Sequence, residues 1–424
     1  MPLPVIRTLL IPLYVSPVRH FGGHIVFVSS TMLITVARSN SPIQISNKFS
    51  IAELDNLIME IFPSTLVFVD VDATASPNST SRDPLSYARQ ALCLNKTLLH
   101  AGMPRLTVFT NAPAAVNACF SVVPEERRPL VHELITSVNV PRSTEFYAAH
   151  FKLDLLEQVT KLLAPDTLLL LLDTDIVAIR PLDNELLQLC ADAGVGAFDI
   201  SDQVFPAYGS ANVIKDLEIV AGRHLLNPRW YGGEFLISTG AFLRVLVSRA
   251  RAHFERYVAE IGRLQHHGDE SFVSAALNTL ADEGQQIVEL GAYQAIGRHW
   301  TGNTHRDLRW FQHCCFVHLP DGKALIEREA RYPGFSLNRF WRTVSTAHLL
   351  NRARFGIKLC FNATPIAPQL RKMIAPGKPV GPADGSTDKP ADGADSGPDS
   401  PEAGSFSALR VKGRLDEKSD EPVS

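Results

Sequence analysis

Five consecutive leucines, Leu168 to Leu172, run directly into Asp173, Thr174 and Asp175. A short apolar run without polar alternation is the pattern of a strand buried on both faces, as strands are inside a mostly parallel sheet. Such sheets place their chemistry just beyond the carboxyl ends of the strands. Two aspartates at i and i+2 in that position repel one another unless a cation lies between them. Carboxylate oxygens suit Mg²⁺ or Mn²⁺, ions that commonly bridge to substrate phosphates. The segment therefore reads as a place where a metal holds a diphosphate. The competing reading is a strand followed by a polar turn whose aspartates cap the next element. The chain returns at once to an apolar run, Ile176 to Ile179, before Arg180, Pro181 and Leu182. The pair thus marks a kink within or between strands rather than a helix start.

The remaining composition is that of a globular protein. The 424 residues are 45% hydrophobic and 20% charged, enough for a large core in one big domain or two smaller ones. A formal net charge of −3 gives no whole-chain signal for nucleic acid. None of the six cysteines forms a C-x-x-C pair, which disfavours zinc ribbons and redox motifs. No segment reaches the roughly 18 apolar residues of a membrane span. The apolar N-terminus is broken by Arg7 and by Pro2, Pro4 and Pro12, so a signal sequence is poorly laid out. Sequons occur at Asn78, Asn95 and Asn362, and Asn95 falls in an expected helix, which argues against its use. A cytoplasmic location is the simplest expectation, with peripheral membrane association a second reading and the secretory pathway left open.

Residues 1–58 do not continue smoothly into the rest of the chain, and Met59 stands just before the first convincing strand; they are treated as an N-terminal extension. A β/α alternation begins with Thr65–Val71 as strand, Pro84–His100 as helix with Asp83 as cap, and Leu106–Thr110 as strand. A helical segment starts at Ala114. Lys152 to Leu163 is amphipathic, with Leu153, Leu156, Val159 and Leu163 on one face. The leucine strand and then Val195–Phe198, ending in Asp199, complete the pattern of a parallel α/β sheet. Leu337 to Arg354 is a basic helix expected to pack on the domain. The domain is placed at residues 59–375. Residues 376–424 are rich in Pro, Gly, Asp and Ser and are read as a disordered tail.

Three further stretches carry chemistry. Trp230-Tyr231-Gly232-Gly233 pairs glycines between bulky residues, which suggests close backbone approach to a ligand before the strand Phe235–Ser238. His267-Gly268-Asp269-Glu270-Ser271 opens a helical run, where carboxylates are often simple caps. His318-Leu319-Pro320-Asp321-Gly322-Lys323 comes after the apolar Phe316-Val317; a His ending a strand can complete a metal site, and a Lys after a Gly can reach a phosphate.

In this order the motifs resemble a retaining, metal-dependent glycosyltransferase of the GT-A fold over about residues 64–325. Lys152 to Asp183 is similar to the helix–strand–DxD block of glycosyltransferase family 8, the glycogenin and lipopolysaccharide galactosyltransferase group, in which a basic residue precedes the block. That family has a later His-x-x-Gly-x-x-Lys motif; here the spacing departs, as His318, Gly322 and Lys323, which touches the role of Lys323 more than that of His318. The His-Gly-Asp-Glu-Ser and Trp-Tyr-Gly-Gly stretches also resemble family 6, the blood-group transferase group.

The resemblance implies a Rossmann-like, mixed but mostly parallel sheet flanked by helices. It implies Asp173, Asp175 and His318 as ligands of Mn²⁺ or Mg²⁺, and a nucleotide-sugar donor, UDP-linked by default. Lys152 and Lys323 would add positive charge. Glu270 would stabilise or attack the anomeric carbon. Asp269 and Asp199 would accept from sugar hydroxyls, Gly232 and Gly233 would let backbone approach the donor, and Asp72 would meet the base or ribose. The acceptor, a glycan, lipid or protein, is not named by the sequence. Two rivals stand beside it. Leu66–Val69 followed by Asp70-Val71-Asp72-Ala73-Thr74 resembles the opening motif of haloacid dehalogenase-type phosphatases, with Asp70 as nucleophile and Asp72 as general acid. A sugar-nucleotide-binding protein without turnover is the third.

Overall fold

The computed structural model describes residues 8–9, 34–35, 59–70, 83–301 and 306–363. Most of the 1–58 extension, Asp72, the sequon at Asn78 and the 376–424 tail lie outside the described residues. Met1–Ala353 forms one compact unit and Arg354–Ser424 a second. The described residues of the second, 354–363, are helical.

In chain order the strands are β1 (Thr8–Leu9), β2 (Ile34–Thr35), β3 (Ile61–Val67), β4 (Thr107–Thr110), β5 (Leu130–Glu133), β6 (Leu168–Leu172), β7 (Ile176–Ala178), β8 (Val195–Asp199), β9 (Tyr231–Thr239), β10 (Val288–Glu289), β11 (Ile296–Arg298) and β12 (Phe316–His318). The α-helices are α1 (Ser86–His100), α2 (Pro113–Phe120), α3 (Lys152–Val159), α4 (Asn184–Ala193), α5 (Ser201–Tyr208), α6 (Ser210–Ala221), α7 (Gly240–Glu260), α8 (Asp269–Asp282), α9 (Leu308–Gln312), α10 (Lys323–Ala330) and α11 (Leu337–Ala363).

The main sheet has seven strands in the order β10-β8-β9-β6-β3-β4-β5. All its pairings are parallel except those of β9, which runs antiparallel between β8 and β6. The fold is therefore α/β with a mixed, mostly parallel sheet flanked by helices. The leucine run is the central strand β6, and all five side chains are buried. Burying a leucine fully contributes on the order of 1.5–3 kcal/mol relative to leaving it exposed. A second sheet, β11-β12-β7, is short and continues from β6 through the Asp173–Asp175 turn.

The first strand of the alternation begins and ends four residues earlier than the sequence pattern predicts. Its cause is Pro63. Proline has no N–H for a ladder and is disfavoured in central strands. Here β3 is staggered: Pro63 faces Leu170 of β6, while pairing with β4 starts only at Ser64. Beyond Val67 the ladder is replaced by one side chain, because Asn111 accepts from Val69 N at 2.8 Å and donates to Val69 O at 2.9 Å.

Helix α1 is buried on nearly all sides and links the two sheets. Asn95 on it accepts from Leu106 N and donates to Arg127 O, so this sequon's amide is committed to the fold. Thr97 accepts from Ala178 N of β7 at 3.0 Å, and Gln90 accepts from Thr174 at 3.2 Å, fixing the turn between the aspartates. On α11, Phe340, Val344 and His348 recur at helical spacing and are buried, so this part of the helix packs on the domain as predicted.

Two buried imidazoles are held neutral. Burial lowers His150 to about 4, although its Nδ1–H donates to the carbonyls of Phe146 and Tyr147. Burial, with Arg256, Arg249 and Arg223 nearby, lowers His253 to about 4. Between pH 6.5 and 4 the unfolded chain binds more protons at these positions than the folded one, so stability falls as pH falls. At pH 5 each imidazole costs on the order of 2 kcal/mol. Denaturant titrations at pH 7 and pH 5 should show this loss, and His253→Gln should remove about half of the histidine share.

Candidate active site

Register delivers the site. Strand β9 is antiparallel to β6, so its first residues lie at the carboxyl end of β6, with Leu172 opposite Phe235. Asp173 N donates to Glu234 O at 2.9 Å across that join. In the small sheet Ile176 pairs with His318, and His318 pairs with Arg298. Leu319 N donates to Asp175 O at 3.0 Å. Asp175 is thus brought beside His318, and His318 beside Arg298, two residues that lie more than a hundred positions further along the chain than Asp175. Gly268, at φ 114°, is in a conformation that suits only glycine; it turns the chain so that α8 starts with Asp269 and Glu270 at the same edge.

Asp173, Asp175 and His318 offer ligand atoms that all lie within 4.8 Å of one another, and they are the one such group of three among the described residues. Asp175 and His318 are buried and Asp173 is partly exposed. His318 Nε2 lies 3.1 Å from Asp175 Oδ1. Burial alone would lower the His318 pKa, but the carboxylates of Asp175 and Glu234 outweigh it and lift the imidazole to about 9. Lys323 Nζ is 2.7 Å from Asp175 Oδ2, and it also lies over the Tyr87 ring. Burial opposes ionisation of Asp175, yet Lys323 and His318 hold its carboxyl well below the usual range.

Lys152 is buried and bridges the cluster to α8. Its Nζ is 2.7 Å from Asp173 Oδ1 and 3.0 Å from Asp269 Oδ2, and it donates to Gly233 O at 2.9 Å. Asp173 and Asp269 overcome the burial penalty and keep this lysine charged. Burial lifts Asp269 to about 6, against the pull of Lys152.

Sequence reasoning missed two residues at the centre of this network, Glu234 and Arg298. Arg298 grips Glu234 with two hydrogen bonds, Nε to Oε1 at 2.7 Å and Nη2 to Oε2 at 2.8 Å. The same Nη2 reaches Glu270 Oε1 at 3.2 Å. On its far side Glu270 Oε2 accepts from Trp230 Nε1 at 2.7 Å. A charged residue beside the buried run Phe235-Leu236-Ile237 was the available signal, since a buried carboxylate must be paired. Its partner could not be read, because Arg298 ends a strand of three residues.

The structure thus brings Asp173, Asp175, His318, Lys323, Lys152, Asp269, Glu270, Gly232 and Gly233 into one network. The two glycines lie within β9, which starts at Tyr231 rather than at Phe235. They admit the chain's own carboxylates: a Cβ on Gly232 would collide with Glu234 Oε2, and one on Gly233 with Asp269 Oδ2. Asp199 sits at the end of β8, where it accepts from Ser201 N at 2.9 Å and pairs with Arg229 at 2.8 Å. Asp70 lies beyond the end of β3 and pairs with Arg142 at 3.6 Å.

The charges do not balance. Asp173, Asp175, Glu234, Asp269 and Glu270 face the permanent cations Lys152, Arg298 and Lys323, leaving an excess of two negative charges. Protonated His318 offsets one of them. A divalent ion would offset both and free His318 to be a neutral ligand. Two carboxylates and an imidazole converging on one point fit an ion of the Mn²⁺ type.

No family model matches the sequence, and no curated protein matches it. Among solved structures, the galactosyltransferase LgtC in complex with donor and acceptor sugar analogs overlays at TM-score 0.39 and 10% identity, over 68% of this chain and 96% of that one. The bifunctional glycosyltransferase WbbM overlays at TM-score 0.40 and 10% identity, over 74% of this chain and 51% of that one. Overlaps this loose carry no argument about the site. Among the described residues, no helix is long and apolar enough to cross a membrane.

Lys152→Met would leave Asp269 buried without its cation. Breaking a buried pair on one side typically costs about 3–5 kcal/mol. Denaturant unfolding should register a loss of that size; a loss below about 1 kcal/mol would show that the ammonium is not what holds α8 to the cluster.

Proposed function

We propose that this protein is a metal-dependent glycosyltransferase of the GT-A type. It moves a sugar, with retention, from a nucleotide diphosphate, UDP by default, to a glycan, lipid or protein acceptor. The observation that carries the reading is the convergence of Asp173, Asp175 and His318 at the carboxyl end of β6, flanked by two lysines. Phosphorylated leaving groups need positive charge that grows in effect as the bond breaks, and such preorganised charge supplies most of the rate enhancement in many enzymes.

Asp173, Asp175 and His318 would hold Mn²⁺ or Mg²⁺, which when bound acts as a Lewis acid toward the diphosphate. Lys323, now on Asp175, is freed to meet a phosphate oxygen once the carboxylate has another partner. Lys152 stays on Asp173 and Asp269 and ties the start of α8 to the cluster. Glu270 is held in place by Trp230 and Arg298, and either stabilises positive charge at the anomeric carbon or attacks it; two successive displacements through Glu270 would give retention. Asp199 and Asp269 each keep acceptor capacity for sugar hydroxyls beyond their present partners. Gly232 and Gly233 keep the backbone of β9 close to the site, and Asp72 is assigned to the base or ribose.

The phosphatase reading needs a later acidic motif after an apolar strand to hold Mg²⁺, and Gly268-Asp269-Glu270 follows the polar stretch Gln265-His266-His267 instead. The binding-without-turnover reading is separated by assay. Release of UDP from a panel of UDP-sugars should require Mn²⁺ or Mg²⁺. Asp175→Ala should lower that rate by roughly 10²–10³, with circular dichroism unchanged. An unchanged rate in Asp175→Ala would remove the metal site from the mechanism. Metal-dependent UDP binding without product from any acceptor would support the binding protein instead.

A further inference from the structure

His318 has a carboxylate on each ring nitrogen, and only one of them lies in the metal cluster. Nε2 faces Asp175, while Nδ1 lies 3.2 Å from Glu234 Oε1. Glu234 is 1% exposed, so its carboxylate must be paired, and the permanently charged Arg298 guanidinium pairs it at 2.7 Å. An ionised carboxylate can only accept, so the atom facing it must be an N–H. Arg298 in turn occupies both Glu234 oxygens, leaving the carboxylate no freedom to rotate away. The same guanidinium touches Glu270.

From this geometry we propose that Glu234 is a positioning residue for the site, fixing His318 with its proton on Nδ1 so that the Nε2 lone pair points at the metal position. It also anchors Arg298 and, through it, Glu270. The inference rests on the proposed metal-dependent reading, and it adds a residue that touches neither metal nor substrate. Carboxylates bonded to the non-ligating nitrogen of a metal-bound His orient the ring and raise its basicity; losing one typically costs about 10–100-fold in metal affinity.

The test reads metal binding, not turnover. Manganese affinity is measured by the loss of the free Mn²⁺ electron-paramagnetic-resonance signal on the full chain. Glu234→Gln should weaken Mn²⁺ about 10–100-fold. That single variant leaves Arg298 buried without its main partner, so its folding is at risk. The double variant Glu234→Gln with Arg298→Met removes the stranded charge, and it should melt near wild type while still binding Mn²⁺ about 10–100-fold more weakly. In the wild-type protein, ¹⁵N NMR of the histidine rings with Zn²⁺ in place of Mn²⁺ should show His318 protonated at Nδ1. Wild-type affinity in a folded variant, or an Nε2-protonated ring in the wild type, would overturn the inference. No Mn²⁺ binding by the wild-type protein would instead sink the metal-dependent reading itself.

Discussion

The site depends on a cluster of carboxylates that the chain's own cations do not neutralise. Five acidic side chains are drawn together around β6, β9 and α8, and Lys152, Lys323 and Arg298 contact all five while supplying only three positive charges. In a low-dielectric setting such an excess is costly, because each unpaired charge loses far more hydration than a distant partner returns. Here the excess is shared across one connected network that also holds a protonated His318. A fold that keeps this arrangement is preorganised for an additional cation.

The scaffold explains how the excess is tolerated. The leucine strand, buried on both faces, fixes the position of Asp173 from one side. Strand β9, running the other way, brings Gly232, Gly233 and Glu234 to the same edge. The three-stranded sheet then sets Asp175, His318 and Arg298 in register. Ladder hydrogen bonds locate the Cα atoms, and the ion pairs need only fix side-chain rotamers. The glycines serve the same close packing, since any side chain there would collide with Glu234 or Asp269.

Much of this was legible in the chain. The leucine run, the aspartates after it, the helices around Ser86–His100 and Asp269–Asp282, and the packed part of α11 arise from local pattern, which needs no knowledge of partners. What failed to show was set by pairing. Pro63 argues locally against a central strand, and only the stagger between β6 and β4 makes it harmless. The alternation of strands and helices suggests parallel pairing and does not reveal that β9 is reversed. Strands as short as β10 and β11 have no readable period. Lys323, whose spacing departs from the family pattern, still reaches Asp175, because α10 begins immediately beyond the turn after β12. The Glu234–Arg298 pair spans 64 residues of sequence and was invisible for the same reason.

Anomalous diffraction at the manganese edge, from crystals grown with MnCl₂ and UDP, tests the central claim most directly. The account predicts a peak roughly 2.0–2.3 Å from a carboxylate oxygen of Asp173, one of Asp175 and Nε2 of His318, with Lys323 moved off Asp175. Crystals under saturating manganese with no peak there, and with Lys323 still closed over Asp175, would contradict it.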